Sequence, residues 1–165
     1  MNRIHTSLIL IVSLLSSLTA MAFPPAPYYT LYGMVRDQVG QTLTAEGAQV
    51  VLLKDGVEVG RTPIISGRID QSYELNIRMD QARSGMALYS EKAVAVGGQF
   101  SLVVKMNGSV FYPIEVSGTL LAGNGGDRTR LDLTLGEDSD GDGLPDVWEQ
   151  WQLHQAGLHP AADGS

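Results

Sequence analysis

Residues 48–62 read AQVVLLKDGVEVGRT, and they decide the fold class of this chain. Two runs rich in valine and leucine, residues 48–54 and 57–62, flank the dipeptide Asp55-Gly56. Asp-Gly between two such runs is a strong signal for a two-residue turn, because both central residues of a type I′ turn need positive φ. The stretch therefore predicts a β-hairpin.

Further short runs on both sides of this hairpin also have strand character. Asn107-Gly108 predicts a second two-residue turn, and glycine interrupts the chain too often for a long helix between residues 29 and 135. Alternation places Ile69, Tyr73, Leu75, Ile77 and Met79 on one side of one strand, and Leu131, Leu133 and Leu135 on one side of another. The additional predicted strands are residues 29–36, 69–79, 93–96, 100–106, 110–116 and 128–135.

Seven or eight strands at this spacing predict a mainly β fold, an immunoglobulin-like antiparallel β-sandwich over residues 29–136. We expect this domain to be followed by a loop and one short C-terminal helix in residues 137–165.

The N-terminus has the pattern of a secretory signal peptide over residues 1–22. Arg3 precedes an apolar run at residues 8–18, and Ala20-Met21-Ala22 forms a small-x-small cleavage site. Residues 23–28 form a proline-rich lead-in. The pattern predicts export to the cell surface, the extracellular space or the periplasm, with no membrane span after cleavage. An uncleaved N-terminal anchor is the alternative, although the run is short for a bilayer.

Composition excludes several classes of function. The chain of 165 residues carries 11 Lys and Arg against 18 Asp and Glu, a net charge of −7. Nucleic-acid binding is not expected, because phosphate recognition needs clustered cations. The absence of cysteine excludes disulfides, thiolate metal sites and a cysteine nucleophile.

Residues 138–149 read DSDGDGLPDVWE and carry the sharpest motif in the chain. Carboxylates stand at positions 1, 3, 5, 9 and 12 of this segment and glycine at position 6, which is the pattern of an EF-hand calcium loop. Calcium prefers six to eight oxygen ligands, and alternate carboxylates on a tight loop can converge on one ion. The predicted Ca²⁺ ligands are Asp138, Asp140, Asp142, the Leu144 carbonyl, Asp146 (directly or through water) and Glu149. A solvated acidic turn that caps the next helix is the alternative interpretation.

The loop differs from a paired EF-hand in what surrounds it. The incoming segment alternates like a strand, and Pro145 lacks the backbone N–H through which paired loops bridge. A helix is expected after Pro145 and should stop at Gly157. Trp148 and Trp151 are interpreted as packing anchors of that helix.

The loop, followed by Gly157-Leu158-His159-Pro160, resembles the thrombospondin type 3 calcium repeat of bacterial secreted proteins. The resemblance implies calcium ligands at Asp138, Asp140, Asp142, Asp146 and Glu149. Residues 31–37 (LYGMVRD), Gly40 and residues 48–53 (AQVVLL) show a weaker resemblance to the opening of carboxypeptidase regulatory-like and Cna-B-type domains.

These features predict an exported, non-enzymatic module with a structural calcium site, serving as a surface, spacer or interaction domain. The alternative is a glycan- or protein-binding accessory or adhesion domain of a longer secreted protein. Past the signal peptide, His154 and His159 are the sole histidines, and no nucleophile motif accompanies them. The chain is therefore not expected to be an enzyme.

Overall fold

A computed structural model describes residues 26–80, 90–116 and 119–157. The predicted signal peptide, residues 23–25 of the lead-in, and residues 158–165 with His159 lie outside the described residues. Within them the chain is mainly β, with several sheets and one short C-terminal helix, as the sequence predicts.

Twelve strands, one 3-10 turn at Ile114–Val116 and helix α1 at Asp146–Gln155 form the described structure. The strands are β1 Tyr29–Gly33, β2 Val35–Arg36, β3 Gln49–Lys54, β4 Val57–Pro63, β5 Tyr73–Ile77, β6 Met79–Asp80, β7 Val94–Ala95, β8 Gln99–Met106, β9 Ser109–Phe111, β10 Leu120–Leu121, β11 Arg128–Arg130 and β12 Leu133–Thr134.

One sheet has the order β11-β1-β5, and a second has the order β10-β8-β3-β4, with β9 paired to β8. Alternate residues of both sheets enter one hydrophobic cluster, as period-two side-chain alternation requires. Leu31 and Leu75 come from the first sheet, and Val50 and Leu102 from the second. The core therefore lies between the two sheets.

Both predicted hairpin turns are confirmed. Lys54 pairs with Val57 across Asp55-Gly56, and Met106 pairs with Ser109 across Asn107-Gly108. Asp55 has a φ of 51° and Asn107 a φ of 50°. Both values lie in the left-handed region that type I′ turns require.

The sequence predicted an antiparallel sandwich, but three of the strand pairs are parallel. Strands β1 and β2 pair in parallel with β11 and β12, and β6 pairs in parallel with β7. A parallel pair needs a long crossover connection. The rest of the sandwich supplies that crossover between β2 and β11, so the first and last strands of the domain lie side by side.

Three details of the predicted strands are wrong. Ile69 is 92% exposed and precedes the strand it was assigned to, whereas Tyr73, Leu75 and Ile77 are buried as expected. The strand predicted at residues 110–116 ends at Phe111 and gives way to the 3-10 turn. Strand β10 was not predicted.

Gly33, the last residue of β1, lies against the segment that joins β11 to β12. A Cβ atom there would lie 2.2 Å from the Leu131 carbonyl oxygen. The Tyr73 hydroxyl donates to that same oxygen at 2.6 Å, and the Met34 N–H donates to Asp132 Oδ1 at 3.1 Å. Burial raises the pKa of Tyr73 above its usual range, so the hydroxyl stays protonated and able to donate.

Helix α1 packs less tightly than the sequence predicted. It contains no buried residue, and Trp151 is 49% exposed. Trp148 is half-buried. Its Cδ1 atom would lie 3.9 Å from a Cβ atom added at Gly40. The half-buried residues of the helix all lie in its first turn. Across the described ranges, no helix is long and apolar enough to cross a membrane.

Gly33→Ala should destabilise the fold strongly, because the new methyl group overlaps the Leu131 carbonyl and the two strands must separate. We expect a loss of about 3 kcal/mol in the free energy of unfolding, measured by urea denaturation. Gly60→Ala is the matched control, since its nearest neighbour would lie at 3.8 Å. Equal losses in the two variants would contradict the close approach.

Asp132 makes stability depend on pH. Burial disfavours its charged form, but hydrogen bonds from the Met34 N–H, Arg130 and Arg36 outweigh this and lower its pKa. With a folded pKa below the unfolded value of about 3.9, the stabilisation is complete above about pH 4 and is lost as pH falls through the folded pKa.

Asp132→Asn should therefore cost about 1–2 kcal/mol at pH 7. Urea denaturation between pH 7 and pH 3 should show a smaller decline with acidification for this variant than for the parent. Asp55→Asn is the control, because Asn-Gly suits the same turn. An unchanged pH profile in Asp132→Asn would contradict the assignment.

Candidate metal centre

The acidic loop, residues 138–149, begins a few residues after β12 and is closed at its base. Leu135 is buried in the core, and the Asp146 N–H donates to the Glu137 carbonyl at 2.8 Å. Pro145 is buried against Gly136, where an added Cβ would lie 2.8 Å from the Pro145 Cβ. The two ends of the loop are therefore held together by packing and by a backbone hydrogen bond.

Three carboxylates converge within this loop. Oxygen atoms of Asp138, Asp140 and Asp142 all lie within 4.8 Å of one another. Asp138 is half-buried and the other two are exposed. Three oxygens at this spacing could hold a metal ion, and the open side leaves room for further ligands.

Backbone N–H groups of the loop orient these carboxylates. Asp138 accepts from Gly141 at 2.8 Å and from Gly143 at 3.0 Å, one bond to each oxygen. The Asp142 N–H donates to Asp140 at 3.2 Å, and the Leu144 N–H donates to Asp142 at 2.8 Å. A carboxylate oxygen that accepts one hydrogen bond keeps a second lone pair for a cation.

Asp146 is a predicted ligand that lies outside the group of three. Its two oxygens accept from the Ser139 N–H at 2.8 Å and from the Ser139 hydroxyl at 2.5 Å. These hydrogen bonds, the hydroxyl's first, lower the pKa of Asp146. These hydrogen bonds connect the start of the loop to the start of α1.

Glu149 also lies outside the group, one turn into α1. The charges of the aspartates nevertheless affect its pKa. Burial first, and then repulsion from Asp140, Asp142, Asp146 and Asp138, raises the pKa of Glu149. The carboxylates of the motif therefore repel one another in the absence of a cation. The Leu144 carbonyl, the remaining predicted ligand, belongs to the residue whose N–H binds Asp142.

Glycines give the loop its curvature. Gly141 has a φ of 76° and Gly143 a φ of 94°, both in the region that side chains resist. The sequence identified Gly143 for this reason. It missed Ser139, because the second position of the motif is unconstrained and carries no signal of its own.

Comparison with known proteins adds no relative: no protein-family model, no curated protein and no solved structure matches this chain.

Gly143→Ala should weaken metal binding, because a left-handed φ costs a non-glycine residue about 1–2 kcal/mol, equivalent to a roughly tenfold loss of affinity. Terbium luminescence sensitised by Trp148 measures this affinity directly.

Gly126→Ala is the matched control for this substitution. Its φ of 95° imposes the same strain in the turn before β11, outside the loop. Similar terbium affinities for the two variants would contradict a role for Gly143 in shaping the site.

Proposed function

We propose that this chain is an exported, non-enzymatic module whose acidic loop binds one structural Ca²⁺ ion. The observation that carries the proposal is the convergence of Asp138, Asp140 and Asp142 within 4.8 Å on a loop that is closed at its base. The proposed ligands are these three carboxylates, the Leu144 carbonyl, Asp146 and Glu149. Asp146, which accepts hydrogen bonds from Ser139, and Glu149 on α1 would complete the shell when the ion binds.

Calcium suits this set of donors better than magnesium does. The loop offers many carboxylate oxygens, and calcium accepts six to eight oxygens in variable geometry. Magnesium requires near-octahedral geometry and retains several waters, so it uses fewer carboxylates. The resemblance to thrombospondin type 3 repeats supports the same choice.

The ion would act on stability and order. It would neutralise carboxylates that otherwise repel one another, and it would fix α1 to the end of β12. A site filled at ten times its dissociation constant adds about 1.4 kcal/mol when only the folded state binds. Extracellular modules bind calcium at about 10⁻⁴–10⁻³ M, which agrees with the export that residues 1–22 predict.

The module would then serve as a spacer, surface or interaction domain of a secreted protein. A glycan- or protein-binding accessory role is the second candidate. It is favoured by aromatic side chains on the surface, where Tyr28 is 51% exposed and Tyr112 is 71% exposed.

Calcium titration by calorimetry tests the proposal on protein lacking residues 1–22 and treated with EDTA. We expect one ion to bind with a dissociation constant of about 10⁻⁴–10⁻³ M. Asp140→Ala/Glu149→Ala should abolish the binding heat, because it removes a central and a closing ligand.

Glu46→Ala/Glu91→Ala is the matched control, since it removes two exposed carboxylates outside the loop. It should leave binding unchanged. The absence of binding by the parent, or equal losses in the two double variants, would overturn the proposed site.

A further inference from the structure

One cavity of the molecule is lined by cations, in contrast to the carboxylates of the acidic loop. Its volume is about 320 Å³, and it lies where β4 and the end of β5 meet. Arg61 comes from β4, Arg78 follows β5, and Lys92 precedes β7. In a chain of net charge −7, three cations around one cavity form a local site of opposite sign.

Two of these cations differ from most others on the surface. Arg36, Arg128 and Arg130 each form an ion pair with a carboxylate. Among the residues that the structure describes, Arg78 and Lys92 form none. Their charges are therefore available to a ligand, and no internal ion pair must break before it binds.

Arg61 is partly neutralised but keeps donors. Its Nε donates to Glu58 at 2.9 Å. A guanidinium carries five N–H donors, so its terminal nitrogens can still bind an anion. Arginine pairs with a carboxylate through two parallel hydrogen bonds, which fixes the orientation of the bound group.

The remaining walls supply a polar donor and an aromatic surface. Asn76 Oδ1 accepts from the Thr30 hydroxyl at 2.8 Å, so the amide can offer its Nδ2 donors to a ligand. Tyr28 also lines the cavity, and its backbone is held by the Gly126 N–H at 2.8 Å. An exposed aromatic ring can pack against the C–H face of a sugar ring.

The backbone beside the cavity is irregular in a way that is typical of binding sites. The register of β3 and β4 shifts between Leu52 and Leu53, where Leu52 pairs with Gly60 and Leu53 with Glu58. Val59 is thus an extra residue on β4, a β-bulge that lines the cavity. Bulges bend a strand and redirect its side chains, and they are frequent next to functional sites.

We propose that this cavity binds a single acidic sugar unit, a carboxylated monosaccharide or one such residue of a short glycan. The carboxylate pairs with Arg78, Lys92 and the free nitrogens of Arg61, while the ring packs on Tyr28. The volume is at the small end of the range for ligand sites, about 300–1,000 Å³, and suits one sugar ring. The site is independent of the proposed calcium loop.

Nuclear magnetic resonance titration of the protein lacking residues 1–22 tests this site, with glucuronate, glucose and acetate as the three probes. Glucuronate should shift the amide resonances of residues that line the cavity and bind at least fivefold more tightly than either other probe. Equal binding of glucose would overturn the anion contacts. Equal binding of acetate would overturn the sugar contacts, and no shift with glucuronate would overturn the site.

Matched variants locate the binding. Arg78→Gln should weaken glucuronate binding at least fivefold, whereas Arg68→Gln removes an exposed cation that does not line the cavity and should change it less than twofold. Tyr28→Ala should weaken glucuronate but not acetate. Equal effects of Arg78→Gln and Arg68→Gln would overturn the assignment, even if calcium binding were intact.

Discussion

The parallel pairing of the first strands with the last strands is the constraint on which the described structure depends. It adds β11 to the edge of the first sheet, places Leu133 and Leu135 in the core and sets where the acidic loop leaves the sandwich. No side chain fits at Gly33, because an added Cβ would overlap the Leu131 carbonyl. Hydrogen bonds from the Tyr73 hydroxyl to Leu131 and from the Met34 N–H to Asp132 hold the strands on both sides of that point.

The strand pairing determines where the acidic loop lies, and hydrogen bonds within the loop determine its shape. Carboxylates accept from backbone N–H groups, so the aspartates are oriented before any ion arrives. Burial, and after it repulsion from the aspartates, raises the pKa of Glu149. A bound cation would convert this repulsion into attraction. The cavity at β4 and β5 instead brings cations together, on another part of the surface.

Local signals in the sequence predict the local parts of the structure. Asp55-Gly56 and Asn107-Gly108 determine their turns through φ alone, and the carboxylate spacing of the loop brings three of its aspartates together. Local signals do not predict which distant strands pair with each other. The parallel pairing joins residues about a hundred positions apart in the chain, as in the Met34–Asp132 hydrogen bond at a separation of 98. Ile69 continues an alternating pattern but precedes the point at which β5 begins to pair, and period two alone carries no stop signal.

A crystal structure of the protein grown with calcium would show whether the aspartates of the loop share one calcium ion. We expect one ion about 2.3–2.6 Å from oxygens of Asp138, Asp140 and Asp142, the distance range of calcium ligands. Glu149 would complete the shell with both oxygens. An ordered loop in which these carboxylates hold no ion at saturating calcium would mean that the loop is not a calcium site.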